Sequence, residues 1–295
     1  MMRGAAAQVE WANRRERGAL PLIRLMVWIA LRAGRRTGRF LSLPACAYFY
    51  LFSPRSRAAS LAYLARVLGR RPTAADRWRH YRCFATCLLD RVLLLNDRVE
   101  LFDFTVYGEA ALTAVREQHG GCFLFGAHLG SFEVVRAASR HMSDVKTSLV
   151  MYEDNARKTN AVLNAINPAM AIDIIGLGRP GSMLAVKDRL DDGHLVGILA
   201  DRSLESERRM TIPFLGAPAR FPVGPFRLAA MLGRPVVLML GLHRGGRRYD
   251  IIFETISTTP AERPSEETIR RFVERLEYHC RGAPYNWFNF YDFWT

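Results

Sequence analysis

The chain has 295 residues, of which 49% are hydrophobic, so it has enough apolar residues for the full core of one large α/β domain or two small ones. Its formal net charge of +14 predicts an anionic partner, which can be nucleic acid, anionic lipid or a phosphorylated substrate. No zinc-ligand spacing, RNP-like motif or lysine-rich tail accompanies this charge, so the sequence excludes nucleic acid and favours anionic lipid. The five cysteines fit no disulfide framework and indicate reduced thiols in a cytosol-facing compartment.

The first 100 residues are predicted to form a helical region, followed by an α/β domain over residues 101–295. Two apolar runs, 18–32 and 40–52, flank an arginine cluster, and neither reaches the roughly 20 residues that span a bilayer. One interpretation is a helical hairpin in the membrane interface, which the arginines between apolar runs favour. The other is a helical hairpin that packs on the protein core. Further helices are expected over 55–70 and 74–95.

Strands and helices are predicted to alternate along the rest of the chain. The predicted strands cover residues 102–107, 122–125, 146–151, 171–175, 194–200, 235–242 and 249–256. The predicted helices cover residues 110–118, 131–140, 155–166, 181–190, 224–232 and 265–280. This alternation predicts an α/β fold with a mixed, largely parallel sheet flanked by helices.

His128 and Glu133 lie where a predicted strand meets a predicted helix, in the segment FGAHLGSFE at residues 125–133. Residues five apart on one helix lie roughly 140° apart around its axis, so the two side chains meet only if His128 lies in the preceding turn. Gly126 and Gly130 permit such a turn. A carboxylate on Nδ1 would orient the imidazole and leave Nε2 as a base for a substrate hydroxyl, which then attacks a thioester. The alternative is a capping histidine with an unrelated glutamate.

Other candidate binding residues follow later elements. Asp201 and Arg202 end a buried strand, where Arg202 is predicted to bind a phosphate and Asp201 to orient Arg202 or an acceptor hydroxyl. A salt bridge at a strand end is the structural alternative. Arg157, in a predicted first helical turn, is a second candidate phosphate contact, and a solvated helix start is the alternative.

Two apolar segments complete the candidates. The Pro-rich segment over 211–222 is predicted to wall an acyl-chain groove, or else to be a loop over the core. Arg220 near the mouth of this groove is a third candidate phosphate contact. The aromatic tail over 284–294 is expected to pack against the sheet, with a membrane-interface contact as the alternative. The remaining histidines are predicted to be structural or surface residues.

Four ordered blocks resemble one family. Residues 128–133 match a His-x4-Asp/Glu motif, 197–203 a later strand-end acidic and basic block, 212–219 a Pro-Phe-Phe-Gly-x-Pro block, and 11–52 membrane-anchoring helices. The chain thus resembles the lysophospholipid acyltransferase superfamily, and within it the bacterial lipid A biosynthesis (lauroyl/myristoyl) acyltransferases. Its C-terminal segment lacks the basic residues typical of the lipid A enzymes, which leaves another glycolipid open as the acceptor.

The resemblance implies an enzyme on the cytoplasmic face of the bacterial inner membrane. It would transfer a fatty acyl group from acyl carrier protein or acyl-CoA to a hydroxyl of a lipid or glycolipid, with His128 as general base and Glu133 as its partner. It implies no metal and no other cofactor. Two other functions remain open: an acyl-thioester hydrolase that uses the same pair, and a non-catalytic protein that binds anionic lipid.

Overall fold

The computed structural model describes residues 20–134, 146–152, 161, 163, 166–167, 173–178, 181–203, 207–258 and 265–294. Most residues of the helices predicted over 131–140 and 155–166 lie outside these residues. The described helices are α1 (Leu20–Phe52), α2 (Pro54–Leu68), α3 (Ala74–Leu95), α4 (Glu109–His119), α5 (Ser182–Asp191), α6 (Gly224–Leu232) and α7 (Ser265–Gly282). A short 3-10 helix covers Val99–Leu101.

Seven strands form the central sheet in the order β1-β9-β8-β2-β5-β3-β4. They are β1 (Asp103–Tyr107), β2 (Cys122–Gly126), β3 (Thr147–Tyr152), β4 (Asp173–Leu177), β5 (Leu195–Leu199), β8 (Val236–His243) and β9 (Arg248–Ser257). Every neighbouring pair is parallel except β8 and β9, which are antiparallel. The prediction of a mixed, largely parallel sheet flanked by helices is therefore confirmed.

The central strand β2 is buried along its whole length, because helices cover both faces of the sheet. Phe125 contacts Phe226 of α6 and Phe272 of α7 on one face. Leu124 points to the other face, where it shares a buried cluster with Leu93 of α3 and Leu112 of α4. Successive side chains of a strand point to opposite faces, so this short apolar run anchors both halves of the core.

The two apolar runs near the N-terminus are both helical and are separated at Gly34, whose backbone (φ 78°, ψ 170°) leaves the helical region. Glycine tolerates this conformation because it has no Cβ. The helix after the break packs closely on α3, since a Cβ on Gly38 would lie 3.0 Å from Leu89 Cδ1. None of the described helices combines the length and the apolar character that a bilayer crossing needs.

The Pro-rich segment forms an antiparallel hairpin of β6 (Arg209–Phe214) and β7 (Ala217–Pro222), not the loop that was the alternative for this segment. In a two-stranded hairpin each strand has a free edge, so Pro213 and Pro218 fit opposite each other without breaking a larger ladder. Leu215 and Gly216 turn the hairpin with positive φ angles of 51° and 79°. The Leu215 N–H donates to Glu277 Oε2 at 2.6 Å, which fixes the hairpin to α7.

Candidate active site

The loop after β2 is held at its C-terminal end by two backbone hydrogen bonds. The Gly130 N–H donates to the Asn286 carbonyl at 2.8 Å, and the Ser131 N–H donates to the Gly241 carbonyl at 2.8 Å. Gly130 has φ 84°, and a Cβ there would lie only 2.1 Å from the Gly241 oxygen. This close approach to β8 requires glycine at position 130, which gives the loop a defined path.

His128 lies in this loop beside Asp201. Strands β2 and β5 are parallel neighbours with Gly126 opposite Leu199, so the residues two positions further on each strand come together. His128 Nδ1 lies 2.8 Å from Asp201 Oδ1, and the His128 backbone N–H donates to Asp201 Oδ2 at 3.0 Å. The same carboxylate therefore fixes both the ring and the main chain of His128.

Asp201 is fully buried and receives two further hydrogen bonds from the C-terminal segment. Trp287 Nε1–H donates to Asp201 Oδ2 at 3.1 Å, and Asn289 Nδ2–H donates to the same oxygen at 3.2 Å. Burial raises the pKa of Asp201, but the hydrogen bonds and charge of His128, together with the charge of Arg202, outweigh it and hold that pKa below its usual range. Asp201 is thus an ionised carboxylate that only accepts hydrogen bonds.

Because Asp201 is ionised, His128 Nδ1 must carry the proton of the 2.8 Å contact, which leaves the lone pair on Nε2. Burial and the positive charge of Arg202 lower the pKa of His128, and the charge of Asp201 opposes them only in part. The ring is therefore neutral near pH 7. The side chain of His128 is 28% exposed, while that of Asp201 is 0% exposed. The imidazole therefore lies between the buried carboxylate and the protein surface.

Glu133 does not contact His128. Its Oε1 lies 2.7 Å from Arg91 Nε on α3, and its Oε2 accepts a hydrogen bond from Ser131 Oγ at 3.0 Å. Residues 132–134 are helical, and this first turn carries the Glu133 carboxylate toward α3 while the ring of His128 faces Asp201. The structure therefore does not make the predicted His128–Glu133 pair, and Asp201 takes the position expected for the glutamate.

Arg202 is engaged by the C-terminal segment. Its Nε–H donates to Asn289 Oδ1 at 2.7 Å, its Nη2–H donates to the Phe288 carbonyl at 3.1 Å, and its guanidinium lies 5.4 Å from the ring centre of Tyr291. The Asp201 carboxylate binds His128 and not Arg202, so the structure does not show it orienting Arg202. Its other predicted role, orienting an acceptor hydroxyl, stays a prediction. Arg202 acts on the site through its charge, which lowers the pKa of His128.

The structure tests only one of the two other predicted contacts. Arg157 lies outside the described residues. Arg220 lies exposed on β7, and its side chain makes no hydrogen bond or ion pair with any residue that the structure describes. Within the described ranges, no group of three or more histidine, cysteine, aspartate or glutamate side chains is placed to hold a metal ion.

The C-terminal segment contributes site residues that were not predicted from the sequence, namely Trp287 and Asn289. The backbone N–H of Phe288 also donates to the His128 carbonyl at 2.7 Å. The indole of Trp287 is fully buried, as expected for a tail that packs on the core. Asparagine within a densely aromatic run was the available signal, because a buried amide needs polar partners.

His80 supports this segment from α3. It is fully buried, its Nε2–H donates to the Trp287 carbonyl at 2.8 Å, and its Nδ1 lies 2.9 Å from Ser60 Oγ. Burial lowers the pKa of His80 to about 4, so the ring is neutral and the Ser60 hydroxyl donates to it. His80 is structural, as its lack of a carboxylate neighbour in the sequence predicted.

Together these contacts form a neutral imidazole with one free ring nitrogen, held by a buried carboxylate at the carboxyl ends of two parallel strands. Such a pair can remove a proton from a hydroxyl or a water molecule. Open α/β sheets commonly bind their ligands at this edge.

A family model described as "Bacterial lipid A biosynthesis acyltransferase" matches residues 23–295, which is most of the chain. No curated protein matches the sequence.

Proposed function

Since the chain belongs to the bacterial lipid A biosynthesis acyltransferase family, we propose that it transfers a fatty acyl group from an acyl thioester to a hydroxyl of a lipid or glycolipid. The donor is acyl carrier protein or coenzyme A carrying the acyl chain, and the acceptor resembles a lipid A precursor. The observation that carries the proposal is the 2.8 Å contact between His128 Nδ1 and the buried carboxylate of Asp201.

The proposed reaction begins with proton transfer from the acceptor hydroxyl to His128 Nε2. The alkoxide attacks the thioester carbonyl carbon and forms a tetrahedral intermediate, which collapses as the carbon–sulfur bond breaks. The thiolate leaves and takes the proton from His128, which returns to its neutral form. Asp201 holds one tautomer throughout and stabilises the imidazolium that forms in between.

Glu133 has a positioning role in this proposal. Its carboxylate accepts from Ser131 Oγ and pairs with Arg91, so it joins the loop that carries His128 to α3. Arg202 tunes the pKa of His128 and anchors the C-terminal segment. Arg157 and Arg220 remain predicted contacts for phosphate on the donor or acceptor.

The proposed reaction takes place at the cytoplasmic face of the bacterial inner membrane. Large apolar side chains of α1 are exposed, with Trp28 59%, Phe40 71% and Phe52 64% exposed. Arginines lie between them along the same helix. Amphipathic helices with this combination bind in the interface of anionic bilayers, which supports an N-terminal region that lies on the membrane.

Product analysis tests the proposal. The purified protein is mixed with an acyl thioester and a lipid hydroxyl acceptor in detergent, and the lipids are examined by mass spectrometry. Acyl transfer predicts a new ester on the acceptor, which a His128→Ala variant forms much more slowly. Free fatty acid without acylated lipid would indicate a thioester hydrolase, and lipid binding without turnover would indicate a non-catalytic binder.

A further inference from the structure

A basic pocket between α1 and α3 lies outside the candidate active site. It has a volume of about 240 Å³, and its lining includes Arg36, Arg39 and Arg82, the hydroxyl residues Ser42 and Thr86, and the exposed ring of Phe40. Among the described residues that line it, there is no aspartate or glutamate. We propose that this arginine pocket binds the phosphate group of an anionic membrane lipid.

The surrounding sequence has an unusual charge pattern. From Leu20 to Ala75 the chain contains ten arginines and no aspartate or glutamate. The first acidic residue after this stretch, Asp76, is bound by Arg70. The positive charge of α1 and α2 is thus not balanced within these helices, and an anion has to come from another element or from outside the protein.

Within the part of the chain that the structure describes, Arg35 is the one arginine of this part of α1 with a carboxylate partner. Arg35 donates from Nε and Nη2 to the two oxygens of Asp90 at 2.7 Å each, and Asp90 also accepts from the Tyr249 hydroxyl. The guanidinium groups of Arg36 and Arg82 make no hydrogen bond or ion pair with any residue in the described part of the chain. These two guanidiniums therefore keep their donors for a ligand.

Arg39 is the third basic group of the pocket. Its Nη1–H approaches the neutral Gly246 carbonyl at 3.4 Å, which is a weak contact. Burial, followed by the nearby charges of Arg35 and Arg82, lowers the pKa of Arg39. Positive charges that crowd a partly buried site favour the binding of an anion, because the anion relieves their mutual repulsion.

The pocket walls suit an oxyanion. Arginine donates several N–H bonds in a planar fork that matches phosphate oxygens. Thr86 is buried on α3, and its hydroxyl makes no hydrogen bond with a described residue, so it is available as a further donor. Ser42 donates to the Arg39 carbonyl at 2.8 Å, which holds the backbone of α1 beneath the pocket.

The apolar surroundings favour a lipid over a soluble acidic partner. Phe40 lines the pocket and is exposed, and Leu41, Phe49 and Leu51 are also exposed on the same helix. In water, exposure of these side chains is unfavourable, whereas in a bilayer interface they contact acyl chains while the arginines reach the phosphates. The proposal rests on the membrane association proposed above, and it does not depend on the chemistry at His128.

A vesicle-binding experiment tests the pocket with the full chain. The pocket variant carries Arg36→Gln, Arg39→Gln and Arg82→Gln. The control variant removes the same charge from exposed positions on α6 and α7, with Arg227→Gln, Arg270→Gln and Arg271→Gln. Both are compared with the wild type on phosphatidylcholine vesicles with and without phosphatidic acid. Circular dichroism and the thermal unfolding midpoint show whether each variant is folded.

The expected result is that phosphatidic acid increases binding of the wild type and of the control variant. The pocket variant is expected to lose affinity for these vesicles by on the order of 100-fold, because three arginines no longer face the lipid phosphates. Equal loss in both variants would overturn the proposal in favour of a nonspecific charge effect. If the wild type binds vesicles equally with and without phosphatidic acid, the pocket proposal fails while membrane association stands. If the wild type binds neither kind of vesicle, the pocket proposal and the proposed membrane association are both wrong.

Two further arms distinguish the source of the phosphate. Inorganic phosphate is added without vesicles, at matched ionic strength against chloride, and the unfolding midpoint is measured. A large stabilisation that the pocket variant lacks, without any preference for phosphatidic acid, would assign the pocket to free phosphate and overturn the lipid. If the pocket variant binds vesicles normally but is slow only with a donor linked to carrier protein, the pocket is a carrier-protein site and the lipid proposal is wrong.

Discussion

Substitution of Asp201 by asparagine distinguishes the observed site from the predicted one. The carboxylate accepts four hydrogen bonds, two from His128 and one each from Trp287 and Asn289. An amide has one acceptor oxygen, and its NH₂ group would face N–H donors. The ring of His128 would then lose its support or change its tautomer.

The size of the effect follows from these contacts. Loss of the tautomer and orientation of a general base lowers kcat by roughly 10²–10⁴. The unmatched donors in a fully buried position cost about 2–5 kcal/mol in the free energy of unfolding. The negative charge of Asp201 raises the pKa of His128, so its removal moves the acid limb of the kcat/KM profile to lower pH.

The matched control is Glu133→Gln, measured with the same acyl thioester and lipid acceptor. Glu133 contacts Arg91 and Ser131. This change is therefore expected to leave the acid limb of the kcat/KM profile at its wild-type pH, even if it lowers kcat. Urea unfolding of both variants separates stability from activity. An acid limb that moves in Glu133→Gln and stays in Asp201→Asn would refute the assignment of Asp201 as the partner of His128.

Three further predictions concern charge, burial and backbone geometry. Arg202→Gln should move the acid limb to higher pH, opposite to Asp201→Asn, because the charge of Arg202 lowers the pKa of His128; an unmoved or lowered limb would contradict this. His80 has a folded pKa of about 4, below its ordinary value, so the unfolded chain binds the proton first as the pH falls. The contribution of His80 to the free energy of unfolding is therefore present above about pH 6.5 and is lost toward pH 4, at about 1.4 kcal/mol per pH unit. Urea unfolding of His80→Gln should show a free energy of unfolding that changes less with pH over this range. Gly130→Ala places a methyl group 2.1 Å from a backbone oxygen of β8 and should cost more stability and activity than Gly69→Ala, which has a positive φ but no atom within 4 Å; equal thermal unfolding midpoints would exclude that contact.

Much of the fold could be predicted because its signals are local. Helix α3 has a capping box, in which Thr73 Oγ1 accepts from the Asp76 N–H and the Asp76 carboxylate accepts from the Thr73 N–H, and its predicted bounds match the structure. The buried strands are short apolar runs, and their alternation with helices is enough to predict a largely parallel sheet. The hairpin of β6 and β7 was not predicted. Proline has no N–H to donate, so prolines argue against a strand unless that strand has a free edge.

The partner of His128 could not be predicted because it depends on strand order. Strands β3 and β4 lie between β2 and β5 in the chain, yet β2 and β5 are neighbours in the sheet. Sequence spacing favoured Glu133, which is five residues away, over Asp201, which is 73 residues away. Asn289 is still more distant, and its contact depends on the path of the C-terminal segment beside the sheet.

Chemical rescue of His128→Ala tests the central claim most directly. The rate of acyl transfer from the thioester to the lipid hydroxyl is measured for this variant with and without added imidazole. A general base predicts a loss of roughly 10²–10⁴ in kcat and a partial recovery that rises with the concentration of neutral imidazole. A wild-type rate in the variant without imidazole would contradict the account.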